Sequence, residues 1–188
     1  MDYILQTEKI FKFLELNLEL EEMKNMMDIK KDFCNDLNLI GCFLKDILNL
    51  ENSGINSEDE NIYSDFVLCF EKHNENNESK EFIQKLKRYS KHYRSLVFEE
   101  TDVRVLLTAI ATINSCCAIE YYPFMMELMD EFLCEKINRI HFMLMLQLIT
   151  DMVISNFDKD TCGFVDLLEL RAHLEEIKTR EVPERLAV

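Results

Sequence analysis

The sequence predicts an all-α fold, a multi-helix bundle, and three observations carry that prediction. Turn-forming residues are scarce: 188 residues contain three glycines and two prolines, too few for the tight turns a sheet needs. Apolar residues recur at intervals of three and four, as in Phe33, Leu37, Ile40, Leu44 and Leu48, which puts them on one helix face rather than alternating across a strand. Hydrophobic residues make up 48% of the chain, enough to build a core and too many for a disordered segment.

Taken in order, a first helix is predicted over residues 3–27, with Ile4, Phe11, Leu14 and Leu18 near one face. The second covers 30–49 and carries the apolar series above. Residues 50–61 form a polar loop, and a third helix follows to about residue 72. A polar run, residues 73–79, precedes helices near 80–98, 102–118, 123–135, 137–156 and 167–179. Pro123 suits a first helical turn, which does not need its missing N–H. The run from Ile140 to Ile154 is the most apolar, but His141, Gln147, Thr150 and Asp151 interrupt it. It is too short to span a bilayer and reads as a buried helix. No internal repeat is visible. The expected organisation is a helical region over 1–135, a helix–loop–helix over 136–180 and a frayed tail over 181–188.

Charge and cysteine usage narrow the function. A formal net charge of −15 argues against nucleic-acid phosphate or an anionic membrane as the main partner, and favours cations or basic protein segments. Seven cysteines, an odd number with no C-x-x-C pair, support neither a disulfide framework nor a zinc site. A reducing, cytoplasmic compartment is expected, and the N-terminus shows no secretory signal. Catalysis finds no handle. The histidines 73, 92, 141 and 173 match no H-E-x-x-H spacing, and neither a Gly-rich phosphate loop nor a G-x-S-x-G elbow is present. The chain is not expected to be an enzyme.

The most informative stretch is residues 157–170. Asp158, Asp160, Asp166 and Glu169 stand at the first, third, ninth and twelfth places of a twelve-residue loop. Gly163 holds the sixth place, where the chain turns sharply, and Val165 the eighth, where an apolar side chain anchors the loop. Calcium is a hard cation that takes six to eight oxygens, so carboxylates that would otherwise repel one another become its ligands. Val153, Ile154 and Phe157 lead in at helical spacing, and Leu170, Leu174 and Ile177 lead out. This stretch, roughly residues 149–178, resembles the EF-hand family. The resemblance implies a bound Ca2+ held by Asp158, Asp160, the Phe164 carbonyl, Asp166 and both carboxylate oxygens of Glu169. The sequence departs from the family pattern at the fifth place, where Cys162 offers a soft sulfur instead of an oxygen.

EF-hands usually come in pairs. The place for a partner loop, Tyr121 to Met126, has neither glycine nor an acidic cluster. Residues 49–60 put Asn49, Glu51, Ser53, Ser57 and Glu60 at ligand places around Gly54, but Asn56 occupies the apolar anchor place, so a polar inter-helix loop explains them as well. Residues 80–94 make a basic amphipathic helix with Phe82, Ile83, Leu86, Tyr89 and Tyr93 on its apolar face, a pattern used for docking but more often for ordinary packing. Methionines 125, 126, 129, 143, 145 and 152 suit an adaptable groove or, more commonly, a core. Cys116 and Cys117 read as small buried hydrophobes.

Two functions compete. One is a calcium-binding regulatory or adaptor protein whose loop modulates helical contacts with a protein partner. The other is a constitutive helical scaffold, cytoskeletal assemblies included, with a vestigial loop. Self-association through the loop is compatible with either.

Overall fold

The computed structural model describes residues 2–51, 61–157 and 167–179. Those residues are all-α, with no strand among them. Nine helices follow in order: α1 Tyr3–Asn17, α2 Leu20–Asp32, α3 Leu37–Glu51, α4 Ile62–Glu75, α5 Ser79–Phe98, α6 Arg104–Ser115, α7 Tyr122–Leu133, α8 Arg139–Phe157 and α9 Leu167–Thr179. A short 3-10 turn, Ile119–Tyr121, leads into α7. The chain divides into two compact units, Met1–Arg94 and Ser95–Val188, so the boundary expected near residue 135 falls inside the second unit.

The two largest departures from the predicted boundaries lie in the first three helices. The single helix expected over 3–27 is two helices, because Leu18 is extended and Glu19 restarts the chain as an N-cap. The Glu19 N–H donates to Glu22 Oε2 at 2.9 Å, a capping contact made by two glutamates without the usual Ser or Thr. The second helix begins at Leu37 rather than residue 30, since Cys34 and Asn35 take left-handed backbone conformations and close α2. Asp36 then caps α3, its Oδ1 accepting from the N–H groups of Asn38 and Leu39 at 2.9 and 3.2 Å.

The scarcity of glycine is resolved by the same device. Cys34, Asn77, Glu99, Cys117 and Glu135 all have φ between 53 and 61°. The residue after each donates its N–H to a carbonyl five residues back, at 2.8–3.2 Å. This is the Schellman closure that glycine normally serves. Here a left-handed Cys, Asn or Glu takes that place, with the steric cost a Cβ brings.

In the first unit, α1 packs on α3 and α4, and α3 packs on α4. The α1–α3 crossing is close because Gly41 lacks a Cβ; one there would lie 2.9 Å from Thr7 Oγ1 and 3.0 Å from the Tyr3 Cβ. Phe33, Phe43 and Tyr93 form an aromatic cluster with centroids 5.3–5.8 Å apart. Asp46 accepts a hydrogen bond from Tyr93, and burial pushes its carboxyl up to about 7.

The basic helix expected over 80–94 is α5. Phe82, Ile83, Leu86, Tyr89 and Tyr93 are all buried, so its apolar face belongs to the core. Its lysines meet acidic partners within the unit: Lys87 reaches Asp28 at 2.8 Å and Lys85 reaches Glu51 at 2.6 Å. This is packing rather than a docking face.

In the second unit, α6 packs on α8, and α7, α8 and α9 pack on one another. Asn114 ties the end of α5 to α7: its Nδ2 donates to the Leu96 carbonyl at 3.0 Å, and its Oδ1 accepts from the Tyr122 hydroxyl at 2.6 Å. Met125, Met126, Met129 and Met145 are buried in this core, while Met143 is exposed. The buried apolar residues of helix α8 are Phe142, Met145, Leu146, Ile149 and Val153, with His141 buried beside them. Its other side, with Met143, Leu144 and Ile154, is exposed, so it is a one-sided rather than a fully buried helix. Among the described residues no helix is long and apolar enough to cross a membrane. Cys117 is exposed and Cys116 half-exposed, contrary to expectation, because the left-handed closure of α6 carries them out of the core.

Candidate functional site

Asp158, Asp160, Phe164 and Asp166 lie outside the described residues, together with Cys162, Gly163 and Val165. What the structure describes is the frame around them. Helix α8 ends at Phe157 and α9 begins at Leu167, which brackets the expected loop with a helix on each side. Glu169, the expected bidentate ligand, stands in the first turn of α9. Its side chain is 63% exposed and lies 3.8 Å from His173 Nε2, one turn further along. A carboxylate in a first turn is also favoured by the positive end of the helix dipole, so this position is comfortable with or without an ion.

Helix α9 is seated by an apolar stripe and two cross-helix ion pairs. Leu170, Leu174 and Ile177 are buried at four- and three-residue spacing, as expected for the outgoing helix. Arg171 Nε donates to Glu127 Oε2 at 2.7 Å, and Lys178 Nζ reaches Glu131 Oε2 at 2.5 Å, both acceptors on α7. On the incoming side Val153 is buried, but Ile154 is 52% exposed and does not share its face.

The proposed place of a partner loop is helical. Tyr121 ends the 3-10 turn and 122–126 open α7, with Tyr121 to Met126 buried. Of the second loop-like stretch, Asn49 and Glu51 belong to α3, while Ser53, Ser57 and Glu60 lie outside the described residues.

One cluster escaped the sequence reading. Glu51 at the end of α3 meets Cys69 and His73 of α4, with one ligand atom from each within 4.8 Å of the others. Glu51 Oε2 is 3.3 Å from His73 Nε2, and Glu51 Oε1 accepts from Lys85 Nζ at 2.6 Å. His73 Nδ1 lies 3.4 Å from Glu78 Oε2, and its ring stacks on Phe82 at 4.6 Å between centroids. Burial works to raise the Glu51 carboxyl, but the Lys85 hydrogen bond and charge, with His73, hold it below the usual glutamate range. Burial, then the neighbouring Glu51, push the Cys69 thiol up to about 11. The signal was present as Cys69 and His73 four residues apart on a helix; the third member comes from a different helix and only the fold reveals it.

No protein-family model, curated protein or solved structure matches this chain.

Proposed function

We propose that the chain is a calcium-binding regulatory or adaptor protein in which the loop at 158–169 adjusts how α9 sits on α7. The observation that carries this reading is the twelve-place ligand pattern ending on Glu169, flanked by α8 and α9. Asp158, Asp160, Asp166, the Phe164 carbonyl and Glu169 would hold the ion, which would supply a charge that neutralises their mutual repulsion. Because Glu169 belongs to the first turn of α9, drawing its carboxylate out of solvent would act directly on that helix. The adjoining Leu170–Leu174–Ile177 stripe and the Arg171–Glu127 and Lys178–Glu131 pairs are the contacts it would redistribute. Apolar surface released in this way meets a protein partner, in a reducing, cytoplasmic setting. A carboxylate-rich loop on a chain with net charge −15 is repelled by nucleic-acid phosphate.

The second reading is a constitutive helical scaffold with a vestigial loop. It draws on the seating of α9, whose apolar stripe and ion pairs involve none of residues 158–166. Hydrogen exchange separates the two. The regulatory reading expects calcium to alter protection of α9 amides in the native chain and not in Glu169→Gln. Identical α9 protection with calcium and with chelator would contradict it and favour the scaffold.

A further inference from the structure

We infer that Glu51, Cys69 and His73 form a binding site for one borderline-soft divalent cation of the Zn2+ class, separate from the calcium loop. Three different donor types, a carboxylate, a thiol and an imidazole, converge within 4.8 Å. Cys69 and His73 stand one helical turn apart on α4, so both side chains leave the same face. Glu51 closes the set from α3.

The spacing suits a tetrahedral ion. Two ligands held about 2.0–2.1 Å from a tetrahedral zinc stand roughly 3.3 Å from each other. Glu51 Oε2 and His73 Nε2 are 3.3 Å apart. A thiolate at about 2.3 Å from the metal would sit roughly 3.6 Å from the other two ligands. The 4.8 Å limit on the cluster therefore leaves little for the Cys69 side chain to close. On binding, Cys69 releases its thiol proton to solvent as the metal–sulfur bond forms.

The surroundings are those of a metal ligand set. Glu78 Oε2 lies 3.4 Å from His73 Nδ1, so the ring is held between Glu78 on one side and, through Nε2, Glu51 Oε2 at 3.3 Å on the other. Phe82 stacks on the ring and blocks its rotation. Glu51 and His73 also line a cavity of about 500 Å³ with Glu78, Glu81, Lys85 and Arg88, which gives a fourth, exchangeable position to water. Lys85 holds Glu51 Oε1 and competes with the cation for that carboxylate's charge, while Oε2 remains on the His73 side. The donor set selects against calcium, which takes oxygen ligands only.

The test is Co2+ absorption of the full-length chain, with Zn2+ displacement in the presence of excess calcium. The native protein should take up one Co2+ with a thiolate-to-cobalt charge-transfer band that Zn2+ abolishes and calcium does not. Cys69→Ser should lose the band, His73→Ala should weaken binding at least tenfold, and Glu78→Gln should weaken it by about tenfold. Lys85→Met, which leaves every donor in place, should tighten it. Far-UV circular dichroism establishes that each variant is folded; should Cys69→Ser not fold, the His73 and Lys85 variants decide. No thiolate band, a band that survives in folded Cys69→Ser, or unchanged affinity in His73→Ala and Lys85→Met would overturn the site and leave Glu51–His73–Lys85 as a structural ion network.

Discussion

Asp46 shows how one residue couples the core to pH. The residue as a whole is half-buried, its carboxyl sits beside Tyr93, and burial pushes that carboxyl up to about 7. Unfolded, it titrates near 3.9. Between about pH 4 and 7 the folded state therefore holds a proton that the unfolded state has lost. Stability from this group is present below that window and falls as pH rises through it. Asp46→Asn stays neutral and can still accept from Tyr93. It should be more stable than the native chain above pH 7, by about 1–2 kcal/mol once solvent screening of a half-buried group is allowed for. Urea unfolding at pH 5 and pH 8 checks this: the native midpoint should drop between the two and the variant's should drop less.

Helix ends are where the element scale departs from expectation. Glu135 has φ 57° at the end of α7, a conformation that costs a side-chain-bearing residue and not glycine. Glu135→Gly should stabilise the second unit by about 0.5–1 kcal/mol, although glycine inside a helix does the opposite. A thermal melt that shows no gain or a loss would mean the Glu135 side chain holds something the backbone geometry does not reveal. The docking of α9 gives a complementary pair of variants. Leu174→Ala removes a side chain that is 2% exposed and should cost about 2–5 kcal/mol. Arg171→Ala breaks a partly exposed pair and should cost about 1 kcal/mol or less. Denaturant midpoints of the two variants test that apolar burial, not charge, holds the helix. These same elements explain how much was legible in the sequence. The apolar spacing of Phe82, Ile83, Leu86, Tyr89 and Tyr93 located α5 to within one residue, and the last helix came out at 167–179 as expected. The break at Leu18–Glu19 was not legible because it uses neither Gly nor Pro, and the start of α3 was hidden by a left-handed Cys34–Asn35 turn. At the candidate sites, the expected calcium ligands are local in sequence and can be counted off along it. The Glu51–Cys69–His73 set is assembled by packing α3 beside α4, and a search for C-x-x-C or H-E-x-x-H spacing cannot find it.

At the scale of the whole molecule, a chain with net charge −15 carries two compact units and a different set of donor residues in each. The first unit gathers sulfur, nitrogen and one carboxylate; the second carries the carboxylate-rich loop. Hard and borderline-soft cations sort between such donor sets by chemistry alone. The central claim is that residues 158–169 bind calcium through Glu169, with Cys162 weakening the site by withholding an oxygen. Calorimetric calcium titration of the native chain, Glu169→Gln and Cys162→Asp tests it most directly. The account predicts one ion per native chain with a dissociation constant of about 10⁻⁵ to 10⁻³ M, no binding in Glu169→Gln, and roughly tenfold tighter binding in Cys162→Asp. A native chain that gives no calcium-dependent heat, or a Glu169→Gln variant that binds as the native chain does, would contradict it.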